Sequence, residues 1–175
     1  MWDAQKAAHP AAVRSVSRIM ANFKFEYKLH DAGWAEAILW NENESVKMTV
    51  SYLHDSLCNL VDAAKSLIFG ADSVSVIFMD EPGEHQLIFQ SKDKSVGFEV
   101  RWFDDWASWN MYPKDKYKVV LSGTTTLNRV TDEILDALNK IHETFGLKKY
   151  KELWIEHDFP INEYNQLKLL KETEQ

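Results

Sequence analysis

The chain has 175 residues, a formal net charge of −7, and 45% hydrophobic with 13% aromatic residues. That composition excludes a disordered chain, and the acidity argues against nucleic acid or an anionic membrane as the main partner, since both need a concentrated positive face. With no Pro/Gly/Ser-rich linker and no internal repeat, the expected organisation is a single α+β domain over residues 1–175, large enough for one sizeable core.

Taken in order, residues 2–22 read as a helix, with Pro10 tolerable in its first turn and Val13, Val16, Ile19 and Met20 spaced to dock; residues 1–8 are expected to fray. Phe23, Phe25, Tyr27 and Leu29 then alternate with Lys24, Glu26, Lys28 and His30, the period-2 signature of a half-buried strand. A turn at residues 30–33 leads to a second strand over 34–40, and Val46, Met48 and Val50 mark a third.

The next stretch organises the fold. Leu53, Leu57, Leu60, Val61, Ala64, Leu67 and Ile68 recur at intervals of three and four, which predicts an amphipathic helix with Asp55 in its first turn and Gly70 just past its end. Strand four is carried by Val74, Val76 and Phe78. Asp80-Glu81-Pro82-Gly83-Glu84 is expected to turn the chain, with Pro82-Gly83 as the central pair of a type II turn, into strand five at residues 85–90. Val96, Phe98, Val100 and Trp102 define strand six, and Tyr117, Val119 and Leu121 mark a seventh.

A second amphipathic helix runs from about Thr126 to Gly146, with Leu127, Val130, Ile134, Leu138, Ile141 and Phe145 as its stripe, and residues 148–175 form a helical extension interrupted before Pro160. The expected fold is therefore an antiparallel sheet of six to seven strands with two main helices packed on one face, plus N- and C-terminal helices.

Cys58 is the single cysteine, so no intramolecular disulfide or cysteine-based metal cluster can form and a reducing compartment fits. The N-terminus has no signal-like segment, and no apolar run approaches the roughly 18 residues of a membrane span, so the expected location is cytoplasmic.

Three groupings could carry chemistry. The connector between strands six and seven packs Trp102, Asp104, Asp105, Trp106, Trp109 and Tyr112 into eleven residues. Rigid aromatic rings give large contact area at small entropy cost and the aspartates could meet lysine or arginine, so these six are the candidate interface; the alternative is that the rings cover the end of the sheet. Asp80, Glu81, Glu84 and His85 could supply oxygen and imidazole ligands, but a tight turn is expected to point them into water. His54, Asp55 and Cys58 lie within about one helical turn, where an imidazole could assist a thiolate, although a cysteine beside an apolar stripe is commonly structural. Phosphate-loop, dinucleotide, G-x-S-x-G and kinase signatures are absent, so no catalytic residue, metal ligand or cofactor is assigned.

In residues 25–34, in Ser51-Tyr52-Leu53 through Leu60, and in Asp80-Glu81-Pro82-Gly83-Glu84, the chain resembles a widespread family of small uncharacterised bacterial α+β proteins, over roughly residues 23–103. The resemblance implies fold rather than activity. Small acidic bacterial proteins of this kind are similar to the immunity proteins that neutralise toxins, an analogy that transfers no functional residue. The resulting expectation is a non-enzymatic, protein-binding chain, with an immunity-type inhibitor of a basic toxin as its finer form. The alternatives are a small-molecule binder or hydrolase with a pocket between sheet and helices, and a homodimeric structural protein.

Overall fold

The computed structural model describes residues 23–173. The helix expected over residues 2–22 lies outside them. Three antiparallel strands come first, β1 (Lys24–Leu29), β2 (Trp34–Trp40) and β3 (Ser45–Ser51), paired in the order β1-β2-β3. Their inner face is the one the alternation marks: Phe25, Tyr27, Leu29, Ala35, Ala37, Leu39, Met48 and Val50 are all buried.

Helix α1 (Ser56–Ile68) follows, with Leu57, Leu60, Val61, Ala64 and Leu67 buried at the expected spacing. Burying these aliphatic side chains stabilises by about 1.5–3 kcal/mol for each large one. The helix starts later than its apolar stripe suggests. Ser51 still belongs to β3, the Tyr52 N–H donates to the Gly33 carbonyl at 2.8 Å, and Asp55 is the N-cap, its carboxylate accepting from the Cys58 N–H at 3.3 Å.

The chain then forms β4 (Ser73–Met79), β5 (Glu84–Lys92), β6 (Ser95–Phe103) and β7 (Lys118–Thr125), again antiparallel and in sequence order. The single sheet of six to seven strands is thus two sheets, of three and four strands. The break falls where α1 lifts the chain out between β3 and β4, which pack as neighbours without a hydrogen-bonded ladder. In the β4–β5 hairpin the Glu81–Pro82 peptide is cis, in place of the trans bond of a type II turn, and the Asp80 N–H donates to the Gly83 carbonyl at 2.9 Å.

Helix α2 (Leu127–Trp154) is capped by the Thr126 hydroxyl, which accepts from the Arg129 N–H at 3.2 Å. Its expected end at Gly146 is a kink, with φ 64°, after which the helix resumes to Trp154. Residues 155–160 lead into α3 (Ile161–Thr173). Helix α1 packs on β4, α2 on β1, and α3 against both helices. Glu133 and Arg129 of α2 reach the outer edge of β1, where the Glu133 carboxylate accepts from the Phe25 N–H and the Arg129 guanidinium donates to the Phe23 carbonyl, each at 2.9 Å. Backbone groups that no strand answers are satisfied there by side chains.

Candidate functional site: the aromatic connector

Between β6 and β7 the chain does not loop freely. Its centre is a short 3-10 turn, Ala107–Trp109, closed by Asn110 in the left-handed conformation at φ 60°, with the Met111 N–H donating to the Trp106 carbonyl at 3.0 Å. Two ties hold this turn to the β4–β5 hairpin. The Trp106 indole N–H donates to the Asp80 carbonyl at 2.8 Å. The Glu84 carboxylate accepts from the Ser108 N–H at 2.9 Å and from the Ser108 hydroxyl at 2.6 Å, and also from the Gln86 amide at 2.5 Å.

Glu84 is 0% exposed, which corrects the expectation that this hairpin turn points its carboxylates into water. A buried carboxylate is costly unless its oxygens are occupied, and here three donors occupy them. His85 beside it is buried as well, its ring 4.6 Å from that of Trp102. Burial lowers its pKa to about 4, so it is neutral at pH 7. Glu81 accepts from the Ser51 hydroxyl at 2.5 Å. The group is therefore dispersed into separate structural contacts.

The six candidate interface residues divide into two kinds. Trp106 and Asp105 are half-buried and hold the loop, the Asp105 carboxylate accepting from the Trp106 N–H at 2.8 Å. Trp102, Asp104 and Tyr112 instead line a hollow of about 200 Å³ together with Lys116, Tyr117 and Lys118. Asp104 sits between two of these aromatics, accepting from the Trp102 indole N–H at 2.8 Å and from the Tyr112 hydroxyl at 3.4 Å. Trp109 packs edge-on against Trp106, with ring centroids 5.1 Å apart, and stays 46% exposed.

Exposed apolar side chains are concentrated in the connector and the start of β7. Of the nine large hydrophobic side chains exposed among the described residues, five lie here: Trp109, Met111, Tyr117, Val119 and Val120. That density sets the region apart from the scattered exposed Leu and Phe found elsewhere on the surface. A β-bulge creates part of it. Val100 pairs with Leu121 and Arg101 with Val119, leaving Val120 as the extra residue, so two adjacent valines face outward. Alternation alone hid this, because it placed Tyr117 and Val119 with buried Leu121 on one strand face. The Arg101 guanidinium covers the Tyr117 ring at 4.2 Å.

The other groupings make no comparable surface. His54 bonds to Asn59 (3.1 Å) rather than to Cys58, whose thiol burial and the neighbouring Asp55 and Asp62 carboxylates push up to about 12. Between β1 and α2, where the alternative reading as a small-molecule binder would place its pocket, lies an open groove of about 390 Å³, lined by Phe25, Tyr27, Leu29, Ile141 and Phe145 among others. Its charged groups pair locally, Lys28 with Glu26 at 3.7 Å and Lys140 with Asp136 at 2.7 Å. No group of three or more His, Cys, Asp or Glu side chains that could hold a metal ion occurs among the described residues. No described helix is long and apolar enough to cross a membrane.

The arrangement defines an α+β protein of two antiparallel sheets with a folded, aromatic-rich connector at the end of the second. No family model matches the chain, and no curated protein matches its sequence. Among solved structures it is similar to one chain of a CdiA-CT/CdiI toxin and immunity complex from Enterobacter cloacae, at 8% identity and a TM-score of 0.41, covering 66% of this chain and 99% of that one.

Proposed function

We propose that the protein is a non-enzymatic binding module that docks another protein through the connector and the start of β7. The observation behind this reading is the combination of exposed rings and aliphatic side chains with a rigid base: Trp109, Met111, Tyr117, Val119 and Val120 are exposed, while Glu84, Asp80 and Asp105 fasten the loop that carries the first two. A loop ordered before binding loses little entropy when it docks, so its apolar area is available for affinity.

The finer form, an immunity-type inhibitor of a basic toxin, draws on the net charge of −7, which would steer a basic partner from a distance. Neutralisation of a toxin encoded beside it, on co-expression, is the outcome this form requires. For the broader reading the test is capture of cross-linked partners by the wild type and by Trp109→Ala/Met111→Ala. Met111 is 59% exposed and Trp109 46%, the latter packing on Trp106, so circular dichroism should be unchanged and melting lowered by only a few degrees while capture is lost; undiminished capture by the double variant would refute the assignment of this surface.

A further inference from the structure

Resting on that docking reading, we infer that the hollow that shares Tyr117 with this surface receives an acidic element of the partner, a carboxylate flanked by an apolar side chain. The carboxylates that made the connector look acidic are engaged internally. Asp104 accepts from Trp102 and Tyr112, and Asp105 caps the Trp106 N–H. The ammonium groups are not. Lys114, Lys116 and Lys118 form no ion pair among the described residues, a state they share with Lys92, Lys94, Lys148 and Lys168, whereas Lys24, Lys28, Lys47, Lys65, Lys140, Lys149, Lys151 and Lys171 all do.

From Arg101 to Lys118, basic side chains outnumber acidic ones on a chain that is acidic overall. Two of the unpaired lysines, Lys116 and Lys118, line the hollow together with Trp102, Tyr112 and Tyr117, Lys118 being the cross-strand neighbour of Trp102. A side chain that fills the hollow therefore meets three aromatic residues and two lysines, and the carboxylate among the lining residues, Asp104, is already engaged by Trp102 and Tyr112. Complementary charge there is provided by aspartate, glutamate or a C-terminal carboxylate on a polypeptide.

The test uses the full chain, 15N-labelled, titrated at low salt with a capped pentapeptide of alternating glutamate and phenylalanine and with its lysine-for-glutamate counterpart. The expected result is movement of the Trp102 indole N–H signal with the acidic peptide only, weakened roughly tenfold in Lys116→Glu/Lys118→Glu and by added salt. Both lysines are exposed, so the variant should keep the wild-type spectrum away from the hollow. Equal response to both peptides, response to the basic peptide alone, or no response at the hollow would each overturn the inference. The partner capture that depends on Trp109 and Met111 is read separately, so failure here is distinguishable from failure of the docking surface itself.

Discussion

Glu84 and Ser108, 24 residues apart, meet through two hydrogen bonds to a carboxylate that is wholly buried, and this contact ties the aromatic connector to the β4–β5 hairpin. Ser108→Ala removes the hydroxyl donor and keeps the N–H, so it should cost about 1–2 kcal/mol in urea unfolding with an unchanged m-value. Glu84→Ala strands both Ser108 groups and the Gln86 amide, and should cost more. It should also raise amide exchange over residues 104–112 specifically. Uniform exchange across the whole chain, or an unaltered midpoint in both variants, would show that the loop is held by other contacts.

Strand and helix positions were readable because burial repeats at two or at three to four residues, and Phe25, Tyr27 and Leu29 or Leu57, Leu60 and Val61 obey that rule. What periodicity does not encode is how a segment ends or what a turn residue touches. The Ser51-Tyr52-Leu53 stretch continues the apolar stripe of α1, yet its backbone is tied to Gly33, and the helix begins only after the Asp55 cap. Glu84 looks like a turn carboxylate until Ser108 arrives from the connector, a contact no local pattern announces. The connector's tryptophans were visible as candidates. Lys116, Tyr117 and Lys118 were not, since they read as the entry to a strand, and only the bulge at Val120 turns the neighbouring valines outward.

Gly83 separates two effects that a glycine substitution usually mixes. Its φ is 94°, and an added Cβ would lie 2.5 Å from the Trp102 ring and 2.7 Å from the Phe103 carbonyl oxygen. Gly70 has a similar φ of 89° with open space around it. Gly70→Ala should therefore show the conformational cost alone, about 1 kcal/mol, and Gly83→Ala that cost plus a clash with backbone, about 3 kcal/mol or more in total. Because the clash falls on Trp102, the indole N–H resonance should shift in Gly83→Ala and stay in place in Gly70→Ala. Similar melting temperatures for the two variants would mean that Trp102 moves aside at little cost.

Cys58 should behave as an inert thiol. Burial first, then the Asp55 and Asp62 carboxylates, push its pKa to about 12, so almost no thiolate exists at pH 8 in the folded chain. Unfolding restores an ordinary cysteine, whose pKa near 8.5 makes a sizeable fraction reactive at the same pH. Alkylation by iodoacetamide, followed by intact mass, should be at least about a hundredfold slower in buffer than in urea. Comparable rates in the two conditions would restore Cys58 as a candidate nucleophile.

His85 should make the fold sensitive to mild acid. Burial lowers its pKa from 6.5 to about 4, and its Nδ1 has no hydrogen-bond partner among the described residues, so the folded protein keeps the ring neutral where the unfolded chain protonates it. Between those two values the unfolded state binds more protons, hence stability rises with pH across the window and falls as pH drops through it. Above pH 6.5 the residue contributes no pH dependence, and below about 4 its effect is complete, on the order of 3 kcal/mol. Urea midpoints measured from pH 7.5 to pH 4.5 should therefore decline less in His85→Leu than in the wild type, since leucine cannot take up the proton. Parallel slopes for the two proteins would show that the ring accepts a proton without leaving its place beside Trp102, and that the acid sensitivity belongs to other groups.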